Sequence, residues 1–311
     1  MIQQNDTIGI LLAGGTGSRL FPTTLAVSKH VLPIYDKPTI FYSLSMLMLA
    51  KVKTVVIICT QNDVKHYRNL LGDGSFIGMN IFYEIQNEPN GIAEAFLICR
   101  EYVRNRSSML VLGDNVFFGA NLTKKLNEGR RSSAGATVFG YKVNRPQDFG
   151  IVELDESNRI ISIVEKPEVP KSNIAVTGLY FYDNTAYDRV KELTPSARGE
   201  LEISCLNRSY LRDDKLSIKM LERGIAWLDT GTPAGLLEAS QFVETIEKRQ
   251  GLKIACLEEI AFNNGWIPST DLLLAGQKYR STQYGQYLLE LYRDNQFTAG
   301  NNSVSDFTFQ H

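Results

Sequence analysis

The sequence predicts an α/β fold: a doubly wound, mostly parallel mixed sheet with a small antiparallel portion and a set of C-terminal helices. Three observations predict it. Before Gly135, short apolar runs alternate with stretches of helical period, the mark of crossover units on a parallel sheet. From Ala136 to Glu165 the strand-like runs follow one another without helices between them. From Gly251 onward the apolar repeat is helical. The chain of 311 residues divides accordingly into a core over 1–250, with a distinct portion at about 135–232, a helical segment over 251–294 and a tail over 295–311. The tail is rich in Asn, Ser and Thr, lacks periodicity, and is expected to be disordered.

The elements follow in order. Ile8 to Leu12 and Thr54 to Cys59 are short apolar runs, hence buried strands. Between them, Ile40, Phe41, Leu44, Leu47 and Met48 recur at helical spacing. Asp63 is placed to cap a helix that runs to Leu71 and stops at Gly72-Asp73-Gly74. Asn80 to Ile85 is a strand, and Ile92, Phe96, Cys99 and Val103 predict one helix after the break at Asn90-Gly91. Met109 to Leu112 is a strand that ends in Gly113-Asp114-Asn115. Ala136–Val143, Gly150–Leu154, Ile160–Glu165 and Val176–Tyr182 form the strand-rich portion. Helices are then expected over Glu200–Leu211 and, with Pro at its start, Pro233–Lys248, and a strand over Leu216–Leu221. Leu257–Asn264, Leu272–Gln277 and Tyr284–Arg293 close the chain as helices.

Bulk properties narrow the function. Thirty-three basic residues nearly balance 34 acidic ones, which argues against a nucleic-acid or acidic-membrane partner. Cys59, Cys99, Cys205 and Cys256 form no C-x-x-C pair, and His30, His66 and His311 complete no zinc spacing. Scattered cysteines, no secretory leader and no membrane-length apolar run predict a cytoplasmic protein.

The chemistry concentrates after the first strand. Gly14-Gly15-Thr16-Gly17, three glycines in four positions, lets backbone approach a ligand without side chains in the way and offers its N–H groups to phosphate oxygens. Arg19 adds a forked cation and Lys29 a point charge, followed by Lys37-Pro38. The spacing is neither G-x-G-x-x-G nor a Walker A loop, and a nicotinamide-dependent oxidoreductase is disfavoured. Asp114 lies just beyond a strand, where ligands of doubly wound sheets sit, and Asp229 in Trp227-Leu228-Asp229-Thr230-Gly231 supplies a second acid. Two carboxylates with phosphate oxygens and water suit a hard ion such as Mg²⁺.

The runs LAGGTGSRLFP and SKHVLPIYDKP resemble the signature of sugar-phosphate nucleotidylyltransferases, and Ser28-Lys29 resembles the glucose-1-phosphate thymidylyltransferase branch. The likeness extends from about Ile8 to Leu291. It implies a Rossmann-like core, transfer of a thymidylyl group from dTTP to glucose 1-phosphate, and Mg²⁺ on Asp114 and Asp229. It further implies that Gly14, Gly15, Thr16, Gly17 and Arg19 hold the nucleotide phosphates, with Gln86 and Gly91 at the base and Arg19 and Lys29 as the catalytic cations. Gly150, Glu165 and Val176 are assigned to the sugar, and Lys166 and Arg198 to its phosphate. On a regular strand Glu165 and Lys166 point to opposite faces, so both reach one ligand only if the chain bends, as Pro167 suggests. A homotetramer with a second nucleotide site near Gly251–Glu259 is implied by the same likeness. His30 stands where that branch has Gln and is expected at the surface, able to titrate near neutral pH if it lined the pocket. The run Gln86 to Glu94 also departs from the usual pattern, leaving UTP or another hexose 1-phosphate as alternatives. A catalytically silent nucleotide-sugar-binding regulator is the reading from another class, against which the retained charged set speaks.

Overall fold

The computed structural model describes residues 7–131 and 134–301. Strand β1 (Ile8–Leu12) leads through three short 3-10 turns and the paired β2 (Pro33–Ile34) and β3 (Lys37–Pro38) into helix α1 (Thr39–Leu49). Then come β4 (Thr54–Cys59), α2 (Val64–Leu71), β5 (Asn80–Ile85), α3 (Ala95–Ile98), α4 (Arg100–Val103) and β6 (Ser108–Leu112). Next are β7 (Asn115–Gly119), α5 (Leu122–Arg131), β8 (Ala136–Lys142), β9 (Gly150–Leu154), β10 (Ile160–Glu165) and β11 (Ile174–Tyr182). The chain continues with α6 (Ala186–Lys191), α7 (Ile203–Arg212), β12 (Leu216–Met220), β13 (Ile225–Asp229) and α8 (Pro233–Gln250). It closes with α9 (Leu257–Asn263), α10 (Ser269–Lys278) and α11 (Gln283–Asn301).

The main sheet runs β10-β9-β11-β6-β1-β4-β5, with β8 on β11 and β12 on β8. In its parallel part β6-β1-β4-β5, the inner strands β6, β1 and β4 are buried on both faces, which is why Val55–Cys59 reads as one unbroken apolar run, while the edge strand β5 is partly exposed. On one face Leu11, Val55, Ile57, Met109 and Val111 pack in the same cluster as residues of α1, α9 and α10. On the other, Ile8, Ile10, Val56, Ile58 and Leu110 join residues of α3, α6 and α7. The antiparallel part is continuous with this sheet through β11, whose Leu179–Tyr182 pairs with β6 while Ile174 and Ala175 pair with β9.

Strand order reverses around β1, between β4 on one side and β6 on the other. The C-terminal ends of β1 and β6 are in register, Leu12 beside Leu112. That crevice is where a doubly wound sheet binds ligands.

Several local expectations change. Asp63 precedes α2 but does not cap it; its carboxylate accepts from Thr60 Oγ1 at 2.7 Å instead. The single helix expected over Ile92–Val103 is a 3-10 turn followed by α3 and α4, divided at Cys99. The ribbon of β7 and β13 is not among the sequence expectations, because its strands are short and 108 positions separate Phe118 from its partner Ala226. Helix α11 continues to Asn301, beyond Asn295 where the tail was placed, and 302–311 lie outside the described residues. No helix among the described residues is long and apolar enough to cross a membrane.

Candidate active site

A cleft of about 400 Å³ opens at the crevice. Gly14, Gly15, Arg19, Lys29, Gln86, Gly91, Asp114, Gly150, Glu165, Lys166, Val176, Arg198 and Asp229 all line it. Thr16 and Gly17 are not among its walls; Gly17 turns the chain at φ 60°, and its carbonyl accepts from Thr24 Oγ1 at 2.8 Å. Lys37 is also elsewhere. Its side chain is 2% exposed and bonded to Asp36 and, at 2.8 Å, to Glu247.

The β7–β13 ribbon brings the two acids together. Asp229 pairs in register with Asn115, and Thr230 donates to the Asp114 carbonyl from both its N–H (3.0 Å) and its Oγ1 (2.9 Å). Lys29 Nζ binds Asp114 Oδ2, and Asn115 Nδ2 donates to Oδ1 at 2.9 Å. Burial by itself raises the Asp114 pKa, but Lys29 and the Asn115 hydrogen bond outweigh it and hold the carboxyl at about 2. Asp229 is raised by burial and by the charge of Asp114, tempered by the Gly231 N–H and Arg19. The Arg19 guanidinium lies against Gly231, where a Cβ would stand 2.6 Å from Nη2.

A pair of neighbouring carboxylates whose repulsion raises one of them fits a hard divalent cation. No cluster of three or more ligating side chains exists among the described residues. Two carboxylates are nonetheless the number such an ion takes when phosphate and water complete its shell.

Around the rest of the cleft, Gln86 Nε2 donates to Glu94 at 2.7 Å, and its Oε1 faces Gly14. Gly91 has φ 107° and packs so closely on Leu201 that a Cβ would lie 2.4 Å from the Leu201 carbonyl. The bend expected after Glu165 falls at Lys166, whose φ of 42° is left-handed, and this puts both residues on the cleft wall. Glu165 Oε2 lies over Gly150, and burial and the nearby Glu202 raise its pKa. Arg198 is folded back on Glu202, with Nη2 2.6 Å from Oε1.

Sequence reasoning missed two residues. Asn115 is buried and accepts at Oδ1 from Trp227 Nε1 (2.6 Å) and the Gly178 N–H (3.3 Å), joining three segments behind Asp114. Its place beside Asp114 was the available signal. Glu202, in the same motif as Arg198, is the second. His30 corrects the surface expectation: it lies at the cleft wall but is 1% exposed, and burial and Lys29 push its imidazole down to about 3, so it is neutral in the physiological range.

Residues 8–246 match the family profile described as nucleotidyl transferase. The chain belongs to the nucleotidyl transferase family. Among relatives of this nucleotidyltransferase, the glucose-1-phosphate thymidylyltransferase of Neisseria gonorrhoeae is 52% identical over 283 residues, covering 91% of this chain and 98% of that one. The protein of the same name from Mycobacterium tuberculosis strain H37Rv is 46% identical over 287 residues, 92% and 99% of the two chains. A Bacillus anthracis crystal structure, assigned as a glucose-1-phosphate thymidylyltransferase in complex with sucrose, superposes with TM-score 0.71 at 36% identity, over 76% of this chain and 95% of that one. A UDP-glucose pyrophosphorylase bound to UDP-glucose shares the fold at TM-score 0.67 and 22% identity, over 77% and 99%.

Proposed function

We propose that this chain transfers the thymidylyl group of dTTP to α-D-glucose 1-phosphate, forming dTDP-glucose and pyrophosphate. One observation carries the reading: Arg19, Lys29, Asp114 and Asp229, from separate segments, meet beside the glycine loop in the cleft that Glu165, Lys166 and Arg198 also line. The relatives named for this reaction support the choice of substrates.

The sugar phosphate is already an anionic oxygen nucleophile, so nothing need deprotonate it. The difficulty is bringing one anion onto the phosphorus of another, and positioning with charge neutralisation supplies most of the catalysis. In this reading Gly14, Gly15 and Arg19 hold the nucleotide phosphates, with Thr16 and Gly17 setting the course of the loop. Lys29 neutralises the α-phosphoryl and the departing pyrophosphate. Gln86 reads the base with its remaining donor and Oε1, beside Gly91. Gly150, Glu165 and Val176 meet the sugar, and Lys166 and Arg198 its phosphate, Arg198 turning from Glu202 to do so. Asp114 and Asp229 would hold Mg²⁺, which when bound supplies positive charge to phosphate oxygens. A cytoplasmic homotetramer that feeds deoxysugar synthesis for surface polysaccharide, by way of dTDP-rhamnose, belongs to the same reading.

The test is pyrophosphate release by the purified protein with Mg²⁺, glucose 1-phosphate and either dTTP or UTP. Release with dTTP that a chelator abolishes supports the reading. Release favouring UTP moves the nucleotide assignment to the residues around Gln86, and no release with either overturns it.

A further inference from the structure

Behind Lys29 lies a group of buried polar side chains that the transfer reaction does not use. Ser28 Oγ is 2.7 Å from Tyr67 Oη and 3.1 Å from His30 Nδ1. Tyr67 Oη is 3.2 Å from the same Nδ1 and donates to the Ala13 carbonyl at 3.0 Å. Tyr67, His30 and Ser28 are all buried, so the hydrogen bonds of these polar atoms have to be met within the group.

The protons can be counted. Three hydrogen bonds require one each: Ser28 to Tyr67, Tyr67 to Ala13, and the bond that Nδ1 makes to the hydroxyls. The two hydroxyls supply two. The third has to come from the imidazole, so Nδ1 carries the hydrogen and Nε2 the lone pair. The hydroxyls then have one direction, Ser28 to Tyr67 and Tyr67 to the Ala13 carbonyl, and Nδ1–H is shared between the Ser28 oxygen at 3.1 Å and the Tyr67 oxygen at 3.2 Å. The Ser28 oxygen has a second lone pair, which the His30 backbone N–H meets at 3.4 Å.

The ends of this chain matter. One end is the residue after Lys29, and the other is the carbonyl that immediately precedes Gly14. The ring also backs onto the metal-side loop, since a Cβ on Gly113 would lie 2.6 Å from His30 Cδ2 and 3.0 Å from Nε2. We propose that the His30–Ser28–Tyr67–Ala13 chain, with His30 in the Nδ1–H tautomer, is a positioning device that fixes Lys29 relative to the glycine loop and Asp114. The inference rests on the role given above to Lys29. Of its side chains only His30 lines the cleft, and the bonds of the group run to Ala13 rather than to Glu165, Lys166 or Arg198, so its loss should act on turnover rather than on sugar affinity.

The experiment combines nitrogen NMR of histidine-labelled protein with kinetics of three variants. His30 is identified by the signal that His30→Asn removes, and the expected pattern is protonated Nδ1 with unprotonated Nε2. Tyr67→Phe breaks the chain at its centre and is expected to lower kcat about tenfold with both KM values within twofold. His30→Asn, whose amide can place an N–H where Nδ1 stood, should keep kcat within about threefold, while His30→Leu should fall as far as Tyr67→Phe. An Nε2-protonated ring in the wild type, wild-type kcat in Tyr67→Phe, or equal losses in His30→Asn and His30→Leu would overturn the proposal. Absence of any nucleotidyl transfer by the wild-type protein would instead overturn the reading of the site, and the tautomer can be read without substrate.

Discussion

Replacing Glu247 with Gln tests the buried ion cluster that takes up Lys37, the cation of the Lys37-Pro38 pair that follows the glycine loop in sequence. Glu247 and Lys37 are each 2% exposed in their side chains, and Lys253 is 8% exposed. Glu247 accepts from Lys37 at 2.8 Å, from Lys253 at 2.7 Å and from the Ile254 N–H at 2.9 Å, while Asp36 receives both lysines. Two acids and two bases make the cluster neutral; Glu247→Gln leaves it with one uncompensated positive charge away from water. Breaking a buried pair in this way costs about 3–5 kcal/mol, through the charge left behind. The melting temperature should fall by roughly 6 °C or more. Removing both partners in Lys37→Met with Glu247→Leu leaves the Lys253–Asp36 pair intact, and should cost less than either single change. Guanidinium unfolding at neutral pH measures Glu247→Gln, the two singles and the double variant. Because the cluster is not part of the cleft wall, kcat per folded molecule should stay near wild type. A cost below about 1 kcal/mol for Glu247→Gln, or a double variant whose cost equals the sum of the singles, would refute the reasoning.

Glu165→Gln should raise stability at neutral pH while raising the KM for glucose 1-phosphate. The folded-state pKa of Glu165 lies above its ordinary 4.5, so its ionised form costs stability at higher pH. The gain should therefore be present above the raised pKa and vanish below 4.5, as melting curves across that range would show. Asp114→Asn and Asp229→Asn should each lower kcat on the order of a hundredfold or more with the fold retained by circular dichroism. Gly178→Ala should cost about 1–3 kcal/mol and lower turnover, because its Cβ would stand 2.7 Å from Asn115 Oδ1 and displace the side chain that steadies Asp114. Unfolding curves and pyrophosphate release check the two halves of that expectation.

The local elements that a period can encode are legible in the order of residues alone. Val55–Cys59 is apolar throughout because both faces are covered, and α8 opens on Pro233 and ends before Gly251 at φ 69°, as capping chemistry requires. The glycine loop with Arg19 and Lys29 was legible for the same reason: its residues are neighbours in sequence, and their chemistry needs no distant partner to be recognised. Asp114 was legible only as an acid beyond a strand.

What joins it to Asp229 was decided by tertiary structure, since the β7–β13 ribbon pairs residues more than a hundred positions apart through backbone bonds that carry no side-chain pattern. Lys37 and His30 show the same limit from the other side. Lys37 stands in the second motif run and His30 is expected at the surface, yet Glu247 and Lys253 on one hand, and Tyr67 and Ser28 on the other, make burial tolerable, with His30 at the cleft wall. The bend at Lys166 likewise needed the folded chain, because a left-handed φ at a lysine persists only where the surrounding strands hold it. A sequence records which groups are present; whether a charged or polar group meets water, substrate or a buried partner depends on segments that only folding brings beside it.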